Sequence, residues 1–488
     1  MPSHRKIGRA WLVLLFTDLA AVAGAYYTTL TIRFHTSWGG RFFESIQDVV
    51  GEFQAGLEAG TLEAFYLASA ARIICLVALT VLPLYALTDL YAGRRFLLRR
   101  PVAWNIVLCN LGALAVFYAY FYLRRNVFHP RSFFATMLAL NTAYAVLLRR
   151  GVDGLMQWLR ARHGFDRCRT LVLGRSEEGD ALCGYINLMH PQGLWLEASL
   201  AREPGESFDA LCERLRRTVR ENAIDAVLSV DRDLQVGDIM RLLETTGELG
   251  VATKVLTGNL DVVIIEARMP VDVVQGVPLL HFSEPARGPR QRSKVAWSFL
   301  TAAVTVLLTA PLQAAVAAMI KMTSRGPVFF VQERIGVDRR PFRMFKFRTM
   351  YDRAEERQAQ VEEFNESGRG LFKMRDDPRV TPAGRFLRRF SLDELPQLYN
   401  VLRGEMVLVG PRPLPRRDFE NYYEEWHYNR HAGMPGLTCL WQVSGRSNID
   451  FHNMCILDVY YLRNQNWAMD VRIVLKTVWV VLFAKGAY

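Results

Sequence analysis

The sequence predicts a membrane protein of the α plus α/β class, on three observations. Apolar runs of spanning length crowd residues 1–150, β-rich and amphipathic runs alternate through the middle, and a further uncharged run of 26 residues, Val295 to Ile320, is followed at once by a basic, aromatic stretch. The domains expected are a four-helix transmembrane block over 1–150, a Rossmann-like parallel α/β domain over 165–285 and a C-terminal domain over 290–488. Of the 488 residues 51% are hydrophobic and mean hydropathy is positive, so lipid solvates part of the chain. A formal charge of +12 favours anionic partners, and beside such apolar runs lipid headgroups and phosphates lead over nucleic acid. Seven cysteines show no CxxC pair and no regular spacing, which argues for reduced thiols rather than a zinc site or a disulfide framework.

Four spans can be drawn, roughly Ala10 to Ile32, Ser69 to Leu87, Val102 to Tyr122 and Ser132 to Leu148, each near the ~20 residues that a crossing helix needs. The first is longer than a signal-peptide core and has no small-residue cleavage site, so it is expected to be retained. Basic residues flank the block before the first span, between the second and third (Arg94, Arg95, Arg99, Arg100) and after the fourth (Arg149, Arg150, Arg160, Arg162), whereas the connection from Arg33 to Glu63 is acidic on balance. By the positive-inside rule both ends are cytoplasmic, against which Arg124, Arg125 and Arg131 sit on the expected outer side. Asp18 and Arg72 have no visible partner; helix packing or interfacial anchoring explains them better than an intramembrane function.

From Thr170 the pattern becomes strands and helices in turn: Thr170 to Gly174, Leu194 to Leu200, Asp225 to Val230 and Val251 to Leu256, with helical stretches such as Phe208 to Arg220 and Val236 to Leu249 between them. The glycine turn after the first strand, Gly174 to Gly179, spaces its glycines as GxxxxG and carries Glu177 and Glu178. That is not the GxGxxG of a dinucleotide loop, so a structural or regulatory module is expected.

The run between Lys294 and Lys321 would be about 39 Å long as one helix at ~1.5 Å per residue, enough for a fifth span. Crossing would carry the basic cluster from Arg325 to Arg348 outside. Pro311 sits inside the run and favours a bend, giving arms of roughly 24 Å and 15 Å that could enter and leave one leaflet. Both readings stand on the residues alone.

Basic clusters follow: Arg325 and Arg334; Arg343, Lys346 and Arg348; Arg375 and Arg379; Arg385, Arg388 and Arg389. Gly410, Pro411, Arg412 and Pro413 form a rigid turn that fixes where an arginine points. Such density beside a bilayer suits a phosphate-bearing lipid or a diphosphate, and equally a face that adheres to anionic lipid. Aromatic interleaving could bind single-stranded nucleic acid, but membrane attachment argues against it. Asp393 and Glu394 form an acidic pair in an apolar frame just after arginines. Locally, Ser391 to Glu394 reads as a capping box, with Pro396 awkwardly placed for the helix to follow; the same carboxylates could serve as nucleophile or metal ligand.

These residues resemble a known family, the bacterial polyprenyl-phosphate sugar-phosphate transferases, or large monotopic phosphoglycosyl transferases, which start exopolysaccharide, capsule and O-antigen synthesis. The carrying segments are RGPVFFVQERIGVDRRPFRMFKFRTM, RVTPAGRFLRRFSLDELPQLYNVLRGEMVLVGPRPL, MPGLTCLWQVSGRS and DVRIVLKTVWVVLFAKGAY, which follow one another in this order between Arg325 and Tyr488. The resemblance implies an α-rich monotopic catalytic domain at the cytoplasmic face of the bacterial inner membrane, with 294–321 re-entering the bilayer at Pro311. It implies that Asp393 attacks the β-phosphate of a UDP-sugar, expels UMP and holds a sugar phosphate covalently until polyprenyl phosphate takes it. Magnesium would be held at Asp393 and Glu394. Arg388 and Arg412 match family phosphate-binding arginines, and Lys346, Arg348, Gln442 and Arg446 match positions for substrate contacts. The motifs look closest to members that use UDP-hexoses, and family analogy favours a homodimer. The family's Ser-Pro at the helix break is here Ala310 and Pro311, so Thr309 or another group must bridge it. Two other readings remain: a glycosyl transferase holding metal at Asp376 and Asp377, and a membrane-anchored regulator with a nucleotide-sensing middle domain.

Overall fold

A computed structural model describes residues 10–50, 59–88, 90–91, 102–124, 131–165, 167–174, 177–188, 193–231, 233–256, 271–274, 277–283, 289–351, 354, 374, 377–444 and 449–482. The chain divides into two compact units, 1–169 with 183–196 and 170–182 with 197–488.

The first unit is built from α1 (Ala10–His35), α2 (Ser37–Val50), α3 (Ala59–Leu87), α4 (Val102–Arg124) and α5 (Arg131–His163). The four expected spans lie on α1, α3, α4 and α5, each long and apolar enough to cross a membrane. Tyr26, Tyr66, Ile106, Phe117 and Phe133 fill the core between them. Asp18 does have a partner, contrary to expectation. Arg149 donates from Nε to Oδ1 at 2.9 Å and from Nη2 to Oδ2 at 2.5 Å, while Nη1 reaches the Leu90 carbonyl at 2.9 Å. The sequence reading placed Arg149 among loop charges, but α5 continues past the apolar run as one helix and carries that arginine inward. A two-pronged pair satisfies both charges away from water. Arg72 is exposed on α3. Amides and hydroxyls also satisfy one another here: Asn110 donates to Tyr85 and Thr142, both at 2.9 Å, and Asn141 donates to Asn110 at 3.0 Å.

The middle sheet has the order β2-β1-β3-β4-β6-β5, with β1 Cys168–Leu173, β2 Leu194–Leu200, β3 Ala226–Ser229, β4 Ala252–Leu256, β5 Val271–Val274 and β6 Val277–Phe282. β1, β3 and β4 run parallel, as expected. β6 is antiparallel to both β4 and β5, so the sheet is mixed rather than wholly parallel. Only two residues join β5 to β6, and so short a link can connect only antiparallel neighbours. Helices α6 (Glu177–Leu188), α7 (Phe208–Glu221) and α8 (Val236–Glu248) follow β1, β2 and β3. Gly174 has φ +111°, and a Cβ there would lie 2.7 Å from the Asp231 backbone nitrogen. An aspartate against that turn is unfavourable to a bound phosphate, in line with the missing GxGxxG.

The C-terminal third opens with α9 (Pro289–Thr323), a helix of 35 residues with Pro311 inside it. It is the fifth helix of membrane-crossing length and composition among the described residues. One stripe of α9 is covered by protein: Ser298, Ala302, Val306, Thr309, Gln313, Val316 and Ile320, which recur every three or four residues and share one face. The opposite side leaves Leu300, Leu307 and Leu308 exposed, Leu307 by 76%. The stripe packs on β8 (Pro341–Phe347), α10 (Pro382–Arg389), α11 (Gln397–Leu402) and β9 (Val407–Val409) through Met344, Phe347, Leu387, Leu398 and Leu408. Besides these elements the domain contains β7 (Phe329–Ile335), antiparallel to β8 and to β10 (Leu414–Pro415), and β11 (Gly436–Thr438), parallel to β9. This third combines its helices with short strands. Two helices close it, α13 (Phe451–Asn464) and α14 (Trp467–Leu482), after the short α12 (Arg416–Tyr422).

Candidate active site

The Asp393 loop forms because α10 ends where its neighbours require. Thr381 caps α10 by accepting from the Gly384 N–H at 2.9 Å, Pro382 starts it, and Arg388 and Arg389 close its last turn. Ser391 then takes a left-handed backbone, φ +53°, and Leu392–Glu394 forms a single 3₁₀ turn. Ser391 makes no side-chain cap, so the capping box read from the sequence does not form. Glu394, which would have completed the box, turns instead toward two cations, and Pro396 stands at the head of α11 rather than inside a helix. Tertiary charge overrides the local pattern.

Glu394 Oε1 accepts from Lys346 Nζ at 3.0 Å and from Arg412 Nη2 at 2.7 Å. Burial works against its charge, but Arg412 and then Lys346 more than offset it and hold the carboxyl well below the ordinary range. Asp393, 9% exposed, differs from its neighbour. Among the described residues no hydrogen-bond donor reaches its carboxylate, and burial, aided by the charge of Glu394, raises its pKa against the pull of Lys346, Arg388 and Arg412. Burial likewise lowers the Lys346 ammonium and the Arg388 guanidinium, whose Nε is held by Thr349 Oγ1 at 3.0 Å. One carboxylate is thus committed to two cations, and the other has no hydrogen-bond donor among the described residues.

The cations are held from behind. Asn400 of α11 accepts from the Phe345 N–H at 3.0 Å and donates to the Arg343 carbonyl at 2.7 Å, which aligns β8 and its Lys346 with the loop. The Gly410–Pro413 turn is pinned through its backbone: Gly410 N–H to Thr438 at 3.0 Å, Gly436 N–H to Pro411 at 2.9 Å, and Arg430 Nη2 to the Arg412 carbonyl at 2.7 Å. A Cβ on Gly410 would sit 2.4 Å from the Met434 carbonyl oxygen, so only glycine allows this approach. Arg430 and Asp458, each 1% exposed in its side chain, pair at the base of the turn, and Tyr423 takes a further guanidinium N–H at 2.8 Å. Burial raises the Asp458 carboxyl to about 6 despite the adjacent Arg430. Sequence reasoning missed this pair, because neither residue belongs to a local motif.

The structure brings Lys346, Arg388, Asp393, Glu394 and Arg412 together. It takes Arg348 elsewhere: its Nη2 donates to the carbonyl and hydroxyl of Ser324, just beyond α9, at 3.0 and 2.8 Å. Gln442 accepts from the Cys439 thiol at 3.0 Å, and Arg446 lies outside the described residues. Of the alternative metal pair, Asp377 is bound by Arg379, Nη2 to Oδ2 at 2.7 Å, and Asp376 lies outside the described residues. Glu424, His427 and His452 cluster within metal-binding reach, but His427 Nδ1 already accepts from the Glu424 N–H at 2.8 Å. All seven cysteines are free. For the magnesium that the resemblance implies, the donors fit: the uncommitted oxygens of Asp393 and Glu394 Oε2 are the hard ligands that the ion takes.

A membrane-length helix laid along a domain whose paired carboxylates are surrounded by phosphate-type cations defines a transferase that works on phosphates at a membrane. The chain belongs to the bacterial sugar transferase family, whose profile matches residues 290–484. It is 38% identical over 208 residues to the exopolysaccharide production protein ExoY of Rhizobium meliloti, covering 42% of this chain and 90% of that protein. It is 41% identical over 167 residues, 33% of this chain and 35% of the relative, to an undecaprenyl-phosphate galactose phosphotransferase of Salmonella typhimurium. A longer match, 28% identical over 438 residues, covers 85% of this chain and 89% of the UDP-glucose:undecaprenyl-phosphate glucose-1-phosphate transferase of Escherichia coli.

Proposed function

We propose that the chain transfers a hexose-1-phosphate from a UDP-hexose to undecaprenyl phosphate, releasing UMP, as the first membrane step of exopolysaccharide, capsule or O-antigen synthesis. The observation that carries this reading is the Asp393 carboxylate, buried, unclaimed by any described donor and faced by Lys346, Arg388 and Arg412. An Asp393 oxygen attacks the β-phosphorus of the sugar nucleotide; the bond to the bridging oxygen breaks and UMP leaves with the electron pair. An oxygen of the acceptor phosphate then attacks the aspartyl phosphate, forming the diphosphate and freeing Asp393. Arg412, Lys346 and Arg388 neutralise the phosphate charge that would otherwise repel the nucleophile. Magnesium, when bound at Asp393 and Glu394, supplies further charge neutralisation on the diphosphate. With purified protein, magnesium, a panel of UDP-sugars and polyprenyl phosphate, the product is UMP; release of UDP, or full turnover by Asp393→Asn, would overturn the reading.

The same reading has α9 enter and leave one leaflet of the inner membrane, with the catalytic domain on the cytoplasmic side. Support comes from the protein-covered stripe, which runs from Ser298 to Ile320 on one domain. Were α9 to cross, α11 would lie at the bilayer midplane and the charges of Lys346, Glu394 and Arg412 would be drawn toward hydrocarbon, at a cost of at least ~3 kcal/mol for each.

A further inference from the structure

Val295 to Ile320 contains one side-chain amide, Gln313, two residues after the proline. It is buried, and its bonds run in both directions along a chain of side chains. Tyr399 of α11 donates from its hydroxyl to Gln313 Oε1 at 3.1 Å; Gln313 Nε2 donates to Thr309 Oγ1 at 3.0 Å; Thr309 donates to the Thr305 carbonyl at 2.7 Å. The chain straddles Pro311, where the helix lacks an N–H for its own ladder. At its far end it is anchored on α11, the helix that begins four residues after Asp393. An amide within an apolar run is costly unless it is bonded, and here both of its ends are used.

We propose that Gln313 and Tyr399 are positioning residues: they lock the proline-bearing segment of α9 to α11 and so fix the depth of Asp393 relative to the lipid-borne phosphate. This rests on the transferase reading above. A soluble sugar nucleotide can approach Asp393 from water whatever its depth, whereas an acceptor held in the bilayer meets it at one depth only. Loosening the lock therefore weakens the second half of the reaction and spares the first.

The test separates the two halves. Exchange of labelled UMP into UDP-sugar without acceptor reads the first, and transfer to polyprenyl phosphate in bilayer nanodiscs reads both. Tyr399→Phe keeps the ring and removes the hydroxyl; Gln313→Leu removes the amide. Each is expected to retain exchange within about twofold and to lose transfer about five- to tenfold, the scale of one hydrogen bond. The double variant is expected to be no worse than the poorer single one. Equal loss of both halves, no loss of transfer, or additive losses would overturn the proposal. Absence of UMP exchange in the unmodified protein would instead overturn the transferase reading beneath it.

Discussion

Asp393 and Glu394 are adjacent carboxylates with opposite fates, and the difference can be measured. Asp393→Asn is expected to reduce UMP release by about a thousandfold or more while raising the melting midpoint of the C-terminal domain by about 2–4 °C, because it removes a buried, unpaired charge. The sign follows from linkage: a carboxyl whose pKa is raised by folding contributes stability at low pH that is lost as pH rises through its folded value. Turnover runs the other way. It should rise as Asp393 ionises, above the ordinary aspartate range, and fall as Lys346 deprotonates, below the ordinary lysine range. A pH profile of UMP release should thus be narrower than free side chains would give, and Lys346→Arg should move the alkaline limb upward. These residues were legible in the sequence because they sit in contiguous motifs, LDEL, KFRTM and GPRP. Arg430 and Asp458 were not: they meet only when α13 folds beneath the Arg412 turn, 28 residues apart in the chain.

Among the elements, that buried pair makes a second prediction. Arg430→Met leaves Asp458 without its cation and costs about 3–5 kcal/mol, read as thermal unfolding of the C-terminal domain. Adding Asp458→Leu should restore stability but not turnover, since the Arg412 carbonyl still lacks its donor. For α9, single cysteines at Arg292 and Met322, both exposed, should be labelled from the same side of a vesicle by an impermeant maleimide in a Cys75→Ser background. Labelling from opposite sides would make α9 a crossing helix. The apolar length and the proline were plain in the sequence, yet the three- and four-residue stripe was hidden, because Ala302, Val306 and Val316 look like any other apolar positions until a domain covers them. Gln313 was the available clue: a lone amide in an uncharged run asks what it bonds to. The edge of the mixed sheet escaped for a different reason, since local strand propensity does not state direction and only the two-residue link does.

For the whole molecule, each unit hides an ion pair that no local pattern announces, Asp18 with Arg149 in one and Arg430 with Asp458 in the other. Charge counting along the sequence placed Arg149 in a cytoplasmic loop; helix continuation and the aspartate facing it place it inside. Asp18→Asn should therefore strand a buried guanidinium, lower stability by about 3–5 kcal/mol and reduce the heat-resistant fraction recovered from membranes by size-exclusion chromatography. Asp18→Leu together with Arg149→Met should recover it.

That pair also sets a timetable for biogenesis. Arg149 is synthesised 131 residues after Asp18, so α1 reaches the membrane with a carboxylate whose counter-ion is still being translated. The first helix cannot take its final seat until the fifth arrives, and the N-terminal unit is completed only as its last helix closes on its first. A ribosome stalled before Arg149 would hold a chain with α1 still open to chaperones and proteases.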